Sequence, residues 1–171
     1  MSSTANNRHG SATIELQGDR EYVVTRKFDA PAEPIFEAHT RPELVKRWWG
    51  FDTSEWLVCE IDFREGGTWR NVLRDSGMEV GFHGTYLEID RPRRLVNTEV
   101  FEGAPVPEGG DIDDTGTVNT TTLEEDENGV TTMTVHVQHA LPEHRDAMIA
   151  SGMETGMQIS YNRLEDLVRQ G

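Results

Sequence analysis

Glu99 is the residue of this chain best placed to do chemistry. It lies in the run 94–101 (RLVNTEVF), and in a strand alternate side chains share a face, so Leu95, Asn97, Glu99 and Phe101 point together. The same alternation groups Trp69, Asn71 and Leu73 in 68–74, and Asn119, Thr121 and Leu123 in 117–124. If the apolar members face a core, the amides and the carboxylate go with them. An unpaired buried amide costs on the order of 1–3 kcal/mol, and water or a ligand removes that cost by supplying the partner. The pattern therefore predicts a partly polar cavity lined by Trp69, Asn71, Phe82, Tyr86, Asn97, Glu99, Asn119, Met153 and Met157. With the faces inverted, the same polar groups would be solvated. A carboxylate in such a cavity has a raised pKa and can act as general acid or base. At an exposed strand end, where glutamates usually sit, it is only a charge. No other catalytic residue is assigned.

Competing chemistries find little support. Of the six histidines, His136 and His139 have strand spacing that puts them on opposite faces, and no pair has the helical HExxH arrangement, so no metal site is expected. Cys59 is the single cysteine, which excludes an intrachain disulfide, and its apolar strand suits an inert thiol. There is no G-x-S-x-G, and Gly66-Gly67 and Gly77-x-x-x-Gly81 lack the lysine and helix of a phosphate loop. Nothing calls for a cofactor.

Thirty-one acids against 16 bases leave a net charge of −15, which repels phosphate backbones and anionic membranes. Nucleic-acid and membrane partners are therefore not expected, while a basic protein partner stays open beside a purely solubilising role. No apolar run approaches the roughly 20 residues that span a bilayer. The polar start MSSTANNRHGS is no signal peptide. A cytoplasmic protein is expected, as monomer or homodimer.

The elements that must position these residues follow in order. Residues 1–11 read as a disordered tail, and 12–171 as one domain. Thr13 to Leu16 is a short strand extension, and 21–28 is the first strand proper. Two short helices follow, one from Pro34 to His39 and one from Pro42 to Trp49. Six antiparallel strands come next, at about 55–63, 68–74, 79–89, 94–101, 117–124 and 130–139. Gly81 and Gly84 mark a bulge or bend in the third of these. The Gly-, Pro- and Asp-rich stretch 102–116 reads as a mobile loop. Trp48, Trp49, Phe51 and Trp56 form an aromatic cluster, either a lip over the cavity or core packing, with core favoured for at least two of them.

Only the C-terminal stretch has long helical periodicity. Ala150, Met153, Met157, Ser160, Leu164 and Leu167 recur at spacings of three and four, while Arg145, Asp146, Glu154, Glu165, Asp166 and Arg169 fall mostly elsewhere on the wheel. Gly152 and Gly156 predict a bend or break near 152, with a loose segment before it and a firm helix over 153–168. One-sided strands need a cover, and this helix is long enough to be it.

The segments DREYVVTRKFDAPAEPIFEAHTRPELVKRWWG, CEIDFREGGTWR, GTYLEIDRPRRLVNTEVF and GMQISYNRL resemble bacterial SRPBCC (START-like) proteins related to the activator of heat-shock-protein-90 ATPase. The resemblance covers about 19–168 and implies an α+β helix-grip fold, a curved antiparallel sheet wrapped around a long C-terminal helix. It implies binding of an apolar or aromatic small molecule between sheet and helix. Polyketide cyclase or hydratase-like catalysis and a chaperone-associated interaction are the alternatives. Two departures bear on the ligand. Gly156-Met157 stands where relatives often carry Gly-Trp, and Asn97 and Glu99 stand where they often carry aromatics.

Overall fold

In Glu21–Phe28 buried and less buried residues alternate, and Tyr22, Val24, Arg26 and Phe28 are the buried set. This is the period-two signature of a strand with one face on a core. The computed structural model describes residues 8–50, 55–103, 106 and 108–170. Its elements are β1 (Thr13–Gln17), β2 (Glu21–Phe28), α1 (Ala32–Ala38), α2 (Pro42–Trp48), β3 (Glu55–Ile61), β4 (Thr68–Asp75), β5 (Met78–Asp90), β6 (Arg94–Phe101), β7 (Thr117–Glu125), β8 (Thr131–His139), α3 (Pro142–Ala150) and α4 (Met153–Gln170). The strands form one antiparallel sheet in the order β1-β2-β8-β7-β6-β5-β4-β3. With α1 and α2 between β2 and β3 and a long C-terminal helix, this is the expected α+β helix-grip architecture.

Two boundaries differ from the sequence reading. The run expected as a short extension is a full strand, β1, which turns at Gly18 and pairs with β2 from Thr13↔Thr25 to Gln17↔Glu21. α1 begins at Ala32, because Pro34 falls in the first turn, where a missing N–H breaks no helical bond.

The sheet bends where β5 passes β6. Pairing runs through Phe82↔Phe101 and His83↔Val100, resumes in the same register at Tyr86↔Asn97, and shifts by one residue before Glu88↔Val96. Across the interruption the Trp69 indole N–H donates to the Thr98 carbonyl at 3.2 Å, and the Thr85 N–H donates to the Thr98 hydroxyl at 2.9 Å. A Cβ at Gly84 would stand 1.8 Å from that carbonyl, so only glycine lets the Trp69 side chain and β6 close over it.

The C-terminal helix is two helices. Gly152 adopts φ +81, a left-handed conformation, and separates α3 from α4. The residues before the break form a regular helix, α3, in place of the loose segment expected. α3 is tied down by Arg145, whose guanidinium donates to the Gly18 and Glu21 carbonyls at 3.4 and 2.9 Å. The break also resets the phase of the apolar stripe, so Ala150 is exposed and the buried line of α4 runs through Met153, Met157, Tyr161, Leu164 and Val168.

A second, polar stripe on α4 grips the N-terminal strands. Gln158 donates to the Ala12 carbonyl at 2.7 Å and accepts from the Ala12 N–H at 3.1 Å, and Asn162 accepts from the Gly10 N–H at 2.9 Å. Arg8 pairs with Asp29 at 2.9 Å. Residues 1–7 of the expected tail lie outside the described residues. Within 102–116, Glu102 takes two bonds of 3.0 Å from Arg70 and lies 2.8 Å from His83 Nδ1, while His83 Nε2 lies 2.7 Å from Asp113 in the 3-10 turn Ile112–Thr115.

At the end of the polar stripe is Glu165, which the wheel had placed outside. It is 0% exposed and accepts from Arg26, also 0% exposed, at 2.7 Å. Its second oxygen accepts from the Asp29 N–H at 3.0 Å. The guanidinium also donates to the Lys27 carbonyl, reaches Asn162 at 3.4 Å, and lies 4.6 Å over the Phe28 ring. The main apolar cluster surrounds the pair, with Phe28, Ile35, Phe36, Leu123, Met133 and Leu164 among its members.

Removing one partner of such a pair strands the other in a dry interior. Arg26→Met or Glu165→Leu alone is expected to cost about 3–5 kcal/mol, and the double variant less than either single, in a urea-unfolding cycle of the four proteins. The glycines separate the same way. Gly156 meets nothing within 4 Å of an added Cβ, so Gly156→Ala is expected to stabilise by about 1 kcal/mol. Gly152→Ala, forced to positive φ, is expected to destabilise by about 1–2 kcal/mol, both read from urea midpoints.

Candidate functional site

The register places the polar strand residues on the face that looks toward α4. Asn97 lies opposite both Tyr86 and Asn119, Asn119 opposite Val137, and Val137 opposite Tyr22, so one row crosses β5, β6, β7, β8 and β2. Glu99 lies opposite Thr117, which lies opposite His139, one row along. Apolar neighbours on the same strands, Leu95, Leu123, Met133 and Tyr86, belong to the core beneath the helices.

At the centre, Asn119 Nδ2 donates to Glu99 Oε1 at 2.9 Å, and the Thr117 hydroxyl donates to Asn119 Oδ1 at 2.8 Å. The chain Thr117–Asn119–Glu99 thus fixes the amide with its N–H toward the carboxyl. Asn97 turns to its neighbour's backbone, donating to the Thr98 carbonyl at 3.1 Å. Among the described residues no arginine, lysine or histidine pairs with Glu99. Glu99 as a whole residue is half-buried. Burial pushes the carboxyl above the usual glutamate value, and the Asn119 bond only partly opposes it.

Two tyrosines absent from the sequence-derived set complete the arrangement. Burial, and after it the Glu99 charge, raises the hydroxyls of Tyr22 on β2 and Tyr161 on α4. The three groups are therefore electrostatic neighbours, yet none of them hydrogen-bonds another. Period-two reading of β2 would have found Tyr22, and Tyr161 follows Met157 by four positions on the helix. His139 joins the same end of the sheet, its ring 5.7 Å from that of Tyr22 and its buried Nε2 without a partner. Burial, and after it the neighbouring His144 and Arg145 charges, lower its pKa to about 4. His136, on the opposite face, pairs with Glu21 at 2.6 Å.

The nine expected lining residues fall into three groups. Met153 and Met157 pack with Tyr22, Val24, Val137 and Tyr161 on the β1–β2–β8 side. Trp69, Phe82 and Tyr86 belong to the larger core on the other half of the sheet, where Asn71 is opposite Phe82 and leaves its buried Oδ1 unpaired. Asn97, Glu99 and Asn119 stand between, and Tyr161 touches both clusters. Two clefts, of about 180 and 370 Å3, open between α4 and the α1–α2 side, lined by Arg47, Leu167 and neighbours, and neither includes any of the nine.

The aromatics near α2 divide. Trp48 is core, its indole donating to the Ala38 carbonyl at 2.9 Å, whereas Trp49 is half-buried against Trp56 and Phe82. Phe51 lies outside the described residues. Burial raises the Cys59 thiol, the reverse of what a nucleophile needs. Among the described residues no group of three His, Cys, Asp or Glu side chains could hold a metal, and no helix is long and apolar enough to cross a membrane.

The model of the family described as Activator of Hsp90 ATPase homolog 1-like protein matches residues 29–169. The chain belongs to this family. A Rhodobacter sphaeroides member of the same fold is 27% identical, with a TM-score of 0.81 over 94% of this chain and 99% of its own. A Staphylococcus epidermidis protein is 28% identical, with a TM-score of 0.76 over 92% and 94%. A Nitrosomonas europaea protein, 22% identical with a TM-score of 0.75 over 91% and 97%, shares the fold. Two curated relatives, tRNA pseudouridine synthase B of Synechococcus sp. and Synechococcus elongatus, are 29% identical over 105 residues, 56% of this chain and 35% of theirs. The chain thus spans about a third of the length of those curated relatives.

The raised carboxyl of Glu99 makes a stability prediction. In the unfolded chain it ionises near 4.5. Between that value and the raised folded one, the folded state holds the proton more tightly, so this group's stabilising contribution is lost as pH rises through the window. Glu99→Gln keeps the Asn119 bond and cannot ionise. It is expected to match the parent below pH 4.5 and to exceed it increasingly above, levelling off past the folded value, as read from thermal midpoints against pH.

Proposed function

We propose that the protein binds a small apolar or amphipathic molecule between the inner face of the sheet and α4. The observation that carries this reading is the set Glu99, Tyr22 and Tyr161: three polar groups within electrostatic reach, under a methionine- and aromatic-lined helix, that do not satisfy one another. A core built only for stability would pair or omit them. His139 Nε2, buried and unpaired, adds unmet hydrogen-bonding capacity beside the Tyr22 ring. Met153 and Met157 suit a wall that adapts to its guest.

Catalysis on that guest, with Glu99 as acid or base, is the second reading, and the raised carboxyl favours it. Modification of tRNA is not proposed, because a net charge of −15 opposes a phosphate backbone. The single free cysteine suits the reducing cytoplasm.

Native mass spectrometry of the protein from a bacterial host is expected to show a retained small molecule, and its turnover separates binder from enzyme. Titration with 2-ethylnaphthalene under NMR is expected to shift the Met153 and Met157 methyls and the Asn119 amide. Shifts confined to the Arg47–Leu167 clefts or surface loops would overturn the reading.

A further inference from the structure

His83 stands between two carboxylates, and both of its ring nitrogens are engaged. Trp69, Asn71 and Phe82 face the core, so strand alternation puts Arg70 and His83, which lie opposite each other, on the outer face of the sheet. There His83 Nδ1 lies 2.8 Å from Glu102 and Nε2 lies 2.7 Å from Asp113. An ionised carboxylate only accepts, and a neutral imidazole has a single N–H, so only the imidazolium donates to both. The two acids are not held alike. Glu102 takes two bonds of 3.0 Å from Arg70, and its backbone N–H donates to the Gly81 carbonyl at 2.9 Å. Asp113 belongs to the 3-10 turn Ile112–Thr115, and among the described residues its ion pair is with His83 alone. The remaining charges around the ring are acidic. Asp111 and Asp114 flank Asp113 in the turn, and Glu60 on β3 and Glu79 on β5 act on Arg70. With Arg70 committed to Glu102, His83 is the cation that faces the turn.

We propose that His83 is a pH-operated clasp: its imidazolium ties the turn Ile112–Thr115 to the outer face of the sheet, and loss of the proton releases Asp113 and loosens the entry into β7. With one N–H left, the neutral ring keeps Glu102, which Arg70 and its own backbone hold in place, and turns a lone pair toward Asp113. Repulsion among Asp111, Asp113 and Asp114 then acts without a cation to offset it. What the turn governs lies just beyond it. Gly116 packs so closely on β6 that a Cβ there would stand 2.7 Å from the Glu99 carbonyl. Thr117 follows, and its hydroxyl orients Asn119 toward the Glu99 carboxyl. The outer clasp therefore bears, through the short run from Asp113 to Thr117, on the polar trio of the inner face. Burial opposes the charge on His83, but the bonds to Asp113 and Glu102, and then their charges, outweigh it and carry its pKa above the usual 6.5. The clasp is thus whole below pH 6.5 and is lost as pH rises through the folded midpoint.

An NMR titration of the full chain between about pH 5 and 9, the range in which histidines change charge, tests this. The His83 ring is expected to titrate above 6.5, with both nitrogens protonated below its midpoint. The Asp113, Asp114 and Thr117 amides are expected to shift with that same midpoint. Amide exchange in the turn, corrected for its intrinsic pH dependence, is expected to lose protection several-fold above it. His83→Phe keeps a ring at this surface position and has no donor, so it is expected to remove the step and leave the turn loosened at every pH. Asp113→Asn is expected to lower the His83 midpoint, since one of the two carboxylates that hold the proton is gone. Titration of His83 at or below 6.5, turn amides that do not follow it, or a step that persists in the turn of His83→Phe would each overturn the proposal. So would an unchanged His83 midpoint in Asp113→Asn, or a Thr117 amide that stays still while the turn moves.

Discussion

The buried pair of Arg26 and Glu165 is the constraint on which the rest of the structure depends. Two charges without solvent contact are costly to desolvate, and the surroundings offset that cost with many partners. Glu165 receives the guanidinium and the Asp29 backbone, while the guanidinium reaches a carbonyl, Asn162 and the Phe28 ring. Of these, the bonds from Arg26 to Glu165 and Asn162 and from the Asp29 N–H to Glu165 cross between α4 and the stretch 26–29. The pair therefore fixes both the rotation and the axial position of the helix over the sheet. A purely apolar seam of Leu164 and Val168 would allow neighbouring registers of similar energy, whereas a displaced Glu165 would leave two buried charges alone.

With the helix so registered, the bend in the sheet decides what lies beneath it. The Thr98 carbonyl is taken by the Trp69 indole and the Asn97 amide in place of a regular ladder bond. The large aromatics fill the half of the sheet beyond the bend, and the methionines take the other half. Tyr161 spans the boundary, packed edge-on to Phe28 and tilted against Trp48.

Much of this could be read from the chain. Period-two alternation correctly paired Asn97 with Glu99 and Asn119 with Thr121 on single faces, since a strand leaves no other choice. Gly152 marked the helix break because positive φ there suits glycine above all. What escaped was the partnership of charged residues far apart in sequence. Glu165 looks like any outward acid until Arg26, 139 residues earlier, is set opposite it. Tyr22 and Tyr161 escaped for the same reason. Each lies on a recognisable buried stripe, but their nearness to Glu99 exists only after β2, β6 and α4 are assembled. Asn71 shares the same alternation and lies opposite Phe82, but alternation by itself carries no information about distance along a curved sheet.

The two ends of α4 answer to different pressures. Its C-terminal half, through Leu164, Glu165 and Val168, is committed to architecture, and changes there threaten the fold. Its N-terminal half, through Met153, Met157 and Tyr161, begins afresh at Gly152 and packs on Tyr22, Val24 and Val137 without a buried charge pair of its own. A single helix thus divides its length between a seam locked by charge and one held by pliant thioethers. The frame itself is kept at a TM-score of 0.81 in a relative that is 27% identical.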